Sequence, residues 1–145
     1  MSNRENIANN IITVLDAVTS PIELKKITRE PFNVDELSEQ QYPALFIQSG
    51  DEIRSDETMT SSTITREAQC DFVLVGFVKG GDNIDTLRNQ LITTIESALE
   101  SDRTRGGYAK RTEIVEVSTD EGTLFPIGGI RVVVRVMYQY TAGTP

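Results

Sequence analysis

Histidine is absent from the chain. That removes imidazole acid–base chemistry, nucleophiles activated by a histidine and most zinc sites. Cysteine occurs once, at Cys70, so no disulfide can form within the chain, and a reducing compartment is the expected home. No apolar run approaches the ~20 residues of a membrane-crossing helix. The opening residues, MSNREN, are not the basic-then-apolar leader of a secreted protein, so neither secretion nor a membrane is expected. Basic residues are outnumbered, 14 Lys and Arg against 22 Asp and Glu, for a net charge of −8 and a pI near 4.6. A chain of that sign is repelled by phosphate backbones and anionic lipid unless its basic residues gather. Only residues 103–105 and 110–111 form a loose group. Solubility alone accounts for the acidity.

What is present suits a globular domain. The chain has 145 residues and 16.1 kDa, of which 38% are hydrophobic and 25% charged, enough to bury a core without a covalent staple. No repeat or linker-like stretch divides it, so one domain over residues 1–145 is expected. Ser2 followed by Glu5 has the spacing of a capping box. Behind it Ile7, Ile11, Val14, Leu15 and Val18 recur at three- and four-residue steps. This predicts a helix over residues 3–18, stopped by Ser20-Pro21. A second stripe, Ile84, Leu87, Leu91, Ile95, Ala98 and Leu99, predicts a helix from an Asp82 N-cap to near Ser101.

The strands are less evenly marked. A short one is expected within residues 22–29, and Ala44-Leu45-Phe46-Ile47 suits a strand buried on both sides. Residues 63–78 have a period of two, with Ile64, Arg66, Ala68, Cys70, Phe72 and Leu74 on one face. After Phe72 the other face turns apolar as well, through Val73, Val75 and Phe77, as if another subunit covered that half. Residues 113–117 form a mixed strand. Residues 130–140 alternate clearly, with Arg131 and Arg135 on the odd face. Residues 31–41 carry no pattern, and residues 50–62, polar and aperiodic, predict a long loop that is either functional or disordered. Long strands and two helices that do not interleave one by one predict an α+β fold. It is a mixed, mainly antiparallel sheet with two amphipathic helices packed on one face.

Little of this composes a reaction centre. Asp51-Glu52, Asp56-Glu57 and Asp120-Glu121 sit in predicted loops, where neighbouring carboxylates point apart, and are expected to be solvated acids rather than metal ligands. Glu23-Leu24-Lys25 matches the acidic-x-lysine strand element of metal-dependent nucleases, but the nearest upstream acid, Asp16, is on a helix. The pairs Gly80-Gly81, Gly106-Gly107 and Gly128-Gly129 lack the spacing of a phosphate or dinucleotide loop and are explained as turns. Cys70, between Ala68 and Phe72 on the core face, is expected to be structural. Arg66 on the same face either lies at the sheet margin, its stem along apolar surface, or pairs with an acid across an interface. Arg131 and Arg135 either face water or pair with acids on a neighbouring strand or chain. No catalytic residue, metal or cofactor is expected.

The order of elements resembles the tail terminator family of tailed bacteriophages, also called tail completion or minor tail proteins. The residues that carry the resemblance begin with the amphipathic N-terminal helix and Tyr42-Pro43-Ala44-Leu45-Phe46-Ile47 leading to Gly50-Asp51-Glu52. They continue with the long strand over 68–78 running into the helix over 82–101, and the strand over 129–140 closing on the tail 141–145. The resemblance implies a non-enzymatic virion protein, located in the tail near the neck and in the host cytoplasm during assembly. Family members form six-membered rings that sit on the tail tube, stop its polymerisation and offer a surface to the head connector. The implied partners are therefore copies of itself, the tube protein and the connector or neck protein. DNA would pass through without specific binding, and the net −8 would oppose its adsorption. A neck adaptor has the same layout. A small-molecule-binding domain or a metal-dependent nuclease is the alternative from another class. Arg66, Val73, Val75, Phe77, Arg131 and Arg135 are the expected subunit-interface residues. In the 50–62 segment Asp51, Glu52, Ile53, Arg54 and Met59 are the expected tube-docking residues, with Ile53 and Met59 as anchors.

Overall fold

The computed structural model of the chain describes residues 2–59 and 63–145, without the side chains of residues 56–59. Five strands form one sheet in the order β1-β2-β3-β5-β4. They are β1 (Lys26–Thr28), β2 (Ala44–Met59), β3 (Ile64–Lys79), β4 (Arg111–Thr119) and β5 (Ile127–Thr141). β1 runs parallel to β2, and every other neighbouring pair is antiparallel. Helices α1 (Asn3–Asp16) and α2 (Ile84–Glu100) pack on one face. This is the α+β arrangement that the hydrophobic pattern predicts.

Each helix forms where its stripe meets the sheet. Ile7, Ala8, Ile11 and Leu15 of α1 are buried, as are Leu91, Ile95, Ala98 and Leu99 of α2. They close on Cys70, Phe72 and Leu74 of β3 and on Val132, Val134 and Val136 of β5. Only half of the expected capping box forms. The Ser2 hydroxyl accepts from the Glu5 amide at 3.2 Å, while the Glu5 carboxylate turns away to Arg29. α1 ends at Asp16, two residues short of the predicted Val18, and α2 starts after an Asn83 cap rather than Asp82. The patternless 31–41 segment holds two single 3-10 turns, Val34–Glu36 and Glu39–Gln41.

The expected loop over residues 50–62 is strand as far as Met59, paired with β3 in a long hairpin; residues 60–62 lie outside the described residues. Two bulges hid the strand from any count of alternation. Between Ser49 and Glu52, and again between Asp56 and Thr58, β2 carries one residue more than β3 opposite it. Each extra residue reverses which side chains face which side of the sheet.

The basic stretch over 103–107 is turn, and one of its cations faces inward. Arg105 is fully buried, and its Nη2 donates to the Leu99 carbonyl at 2.6 Å and to the Asp102 carbonyl. A cation there satisfies carbonyls that the end of α2 leaves without partners. Burial lowers the Arg105 pKa from its ordinary value, with Asp102 and Glu100 acting against the shift.

Candidate assembly surfaces

The sheet face turned away from the helices divides into two zones. Cross-strand register places Phe46, Val75 and Arg131 in one row and Gln48, Val73 and Val133 in the next. Ala44, Phe77 and Gly129 make a third row beyond Val75. Val73, Val75 and Phe77 are half-buried, so the chain gives this apolar half only part of a cover. Some of that cover comes from Phe32 in the patternless segment. Its ring meets Phe46 edge-on at 5.2 Å between centroids and Phe77 at 5.9 Å. A shallow hollow of about 260 Å³ opens beside it, lined by Val75, Phe77, Leu124, Ile130 and Arg131 among others.

The other zone of this face is polar. Arg135 grips Asp71 across the β3–β5 ladder through two hydrogen bonds, Nε to Oδ1 at 3.0 Å and Nη2 to Oδ2 at 3.3 Å. Arg131 lies 3.6 Å from Glu116 on β4. Of the two alternatives for these arginines, the neighbouring strand of the same chain supplies the acids. The structure thus gathers Val73, Val75, Phe77, Arg131 and Arg135 on one face. Arg66 is not with them, since it occupies the helix-side face opposite Asp56 and Tyr140.

The residues expected to dock on a tube are likewise split. The first bulge turns Glu52 and Arg54 to the helix side, opposite Cys70 and Ala68, and leaves Ile53 on the other. The Glu52 side chain is only 5% exposed. It accepts a hydrogen bond from the Tyr138 hydroxyl at 2.6 Å and one from Arg54, and Arg4 of α1 lies 3.7 Å away. Arg4 also donates to the Gly50 carbonyl at 3.0 Å, and Arg54 lies 5.1 Å from the centre of the Tyr140 ring. Glu52 is therefore not a solvated loop acid; it ties the hairpin base to α1 and β5. Burial, reinforced by the Glu52 hydrogen bond, pushes the Tyr138 phenol up. Burial also pushes the Cys70 thiol up to about 11 despite the nearby Arg4, which keeps it protonated and structural. Asp51 and Ile53 are exposed, and the Met59 side chain lies outside the described residues.

Asp120 overturns a second expectation of a solvated acid. It and Arg88 are nearly buried and 2.6 Å apart. Gly128 makes room for the arginine, since a Cβ there would stand 2.8 Å from Arg88 Cγ. Burial raises the Asp120 pKa, but amide hydrogen bonds from Leu124 and Gly129 and the Arg88 guanidinium outweigh it, and the net shift is downward. The pair anchors the turn that carries Leu124 and Phe125, which are 40% and 61% exposed. Neither the Phe32 cover nor this exposed pair had a sequence signal, because each lies in a segment without periodicity. Glu23 and Lys25 form an exposed pair at 3.3 Å, in the segment before β1 rather than on a strand.

Among the described residues, no group of three or more acidic or cysteine side chains is placed to hold a metal ion, and no helix is long and apolar enough to cross a membrane. No family model matches the chain, and no curated protein does. Among the solved structures that match, one described as "Virion of native gene transfer agent (GTA) particle" aligns over 90% of this chain and 92% of its own. The TM-score is 0.44 and the identity 11%.

Proposed function

We propose that this chain is a non-enzymatic virion component that assembles with copies of itself into a six-membered ring, caps a phage tail tube and presents a surface to the head connector. The observation that carries the proposal is the half-covered apolar zone at Val73, Val75 and Phe77. A neighbouring copy would take the rest of that surface out of water. The order of elements that resembles tail terminators supplies the rest. The ring would sit in the virion, in the tail near the neck, after assembly in the host cytoplasm. One end would meet the tube and the other the connector.

Sedimentation of the purified chain at rising concentration tests the ring. Six copies of 16.1 kDa amount to about 97 kDa, and that species is expected to dominate at the highest concentrations. Val75→Lys is expected to keep the fold and return the monomer mass. A wild-type chain that stays monomeric throughout would remove the proposal. Deleting the gene separates the roles, since overlong tails are expected of a terminator and normal-length headless tails of a neck adaptor.

A further inference from the structure

The exposed large apolar side chains are not scattered. Six stand out among the described residues: Ile53, Tyr108, Val115, Val117, Leu124 and Phe125. Ile53 lies on β2, and the other five lie on β4 or the turns at its two ends. In the sheet order, β4 is one edge, and β2 is bordered on the other side only by the three-residue β1. From Ile47 onward no strand among the described residues flanks the outer side of β2.

The Ser49/Glu52 bulge sharpens this partition. With an unbroken register, Ile53 would face the helices and Glu52 would face away. The extra residue reverses both, so Ile53 is 72% exposed while the carboxylate is drawn inward and needs Tyr138, Arg54 and Arg4 around it. Folding alone favours the opposite choice, because burying a charge is unfavourable whereas burying an isoleucine is favourable. Bulges that re-aim a side chain are a known device at functional edges.

Both sides carry both signs, with Arg54 40% exposed beside Ile53 and Glu116 57% exposed on β4, but each offers a charge the other can meet. Asp51 is exposed beside Ile53. On the β4 side, the Arg103 and Arg111 side chains are 66% and 60% exposed, against 34% and 36% for their neighbours Glu100 and Glu113. Such surface pairs hold little energy, and a guanidinium keeps donors for a second carboxylate.

We propose that the two edges are the two halves of one head-to-tail contact, in which the β2 edge carrying Asp51 and Ile53 docks on the next copy's β4 edge carrying Tyr108, Arg111 and Val115. This rests on the ring proposal and specifies how its copies meet. Two different surfaces in contact make a heterologous interface, which closes into a ring when the rotation allows. The β4 edge also adjoins the Val75–Phe77 hollow through the turn that carries Leu124, so the two surfaces are continuous.

Cross-linking with a short bismaleimide tests the pairing. The variants are Ile53→Cys, Val115→Cys and the two together, with the buried Cys70 left in place. The double variant is expected to give a ladder of covalent multimers up to the closed ring. An equal mixture of the single variants is expected to give dimers, and each single variant alone only monomers. Arg103→Glu with Arg111→Glu is expected to weaken self-association at least about tenfold. Dimers from either single variant alone would mean a symmetric contact and overturn the proposal. So would a double variant that sediments as a multimer without cross-linking, or charge reversal without effect. A wild-type chain that never associates would remove the ring itself.

Discussion

Asp102 organises the turn after α2. Its carboxylate accepts from the Thr104 hydroxyl at 2.6 Å and from the amides of Gly106 and Thr104 at 3.0 and 2.9 Å. These hydrogen bonds, the Thr104 hydroxyl foremost, lower its pKa to about 2 from the ordinary 3.8. The folded chain therefore binds this proton more weakly than the unfolded chain does. The stabilisation is complete above about pH 4 and is lost as pH falls toward about 2. Circular dichroism titrated over that window is expected to show acid unfolding, less steep in Asp102→Asn. The nearly buried Arg88–Asp120 pair makes a sharper case. Without Asp120 the Arg88 guanidinium keeps only the exposed Asp85, 2.9 Å away, so Asp120→Ala is expected to cost about 1.5–3 kcal/mol in denaturant melts, the range for a lost hydrogen bond to a charged group.

At the scale of elements, the bulge in β2 has a glycine at its root. A Cβ on Gly50 would lie 2.8 Å from the Asp71 carbonyl oxygen, which is backbone and cannot step aside. Gly50→Ala is expected to destabilise the hairpin by roughly 1–3 kcal/mol, the usual range for overpacking, measured by thermal melts. β3 offers a contrast within one strand. Leu74 is fully buried and Val75 half-buried, so Leu74→Ala is expected to cost about 2–5 kcal/mol and Val75→Ala clearly less. The elements most legible in the sequence are those whose period runs unbroken, both helices, β3 and β5; the weaker patterns within 22–29 and over 113–117 also form strands, at Lys26–Thr28 and Arg111–Thr119. β2 was legible only over Ala44 to Ile47, because the bulges scramble its alternation and its distal residues are polar.

For the whole molecule, the apolar zone was legible through Val73, Val75 and Phe77, since nothing within β3 itself could cover a second face. Its partial lid was not, because Phe32 acts from a segment whose place depends on tertiary packing. The acids were misjudged for a related reason. Glu52 and Asp120 sit among polar neighbours in sequence, and only the folded register brings Tyr138, Arg4 and Arg88 to them. The net charge of −8 leads to a prediction at this scale. The assembled protein is expected to leave duplex DNA unretarded in a gel shift at low salt, where electrostatic binding is strongest. Retention there would contradict the expectation that DNA passes without binding.

The ladder between β3 and β5 runs through fifteen successive residue pairs, from Thr65 and Thr141 to Lys79 and Ile127, with no shift, whereas the strands on either side are bulged. A pull along these two strands loads all their cross-links in shear at once instead of opening them one by one. The middle of the subunit is therefore expected to resist such a pull, with bending left to its bulged flanks.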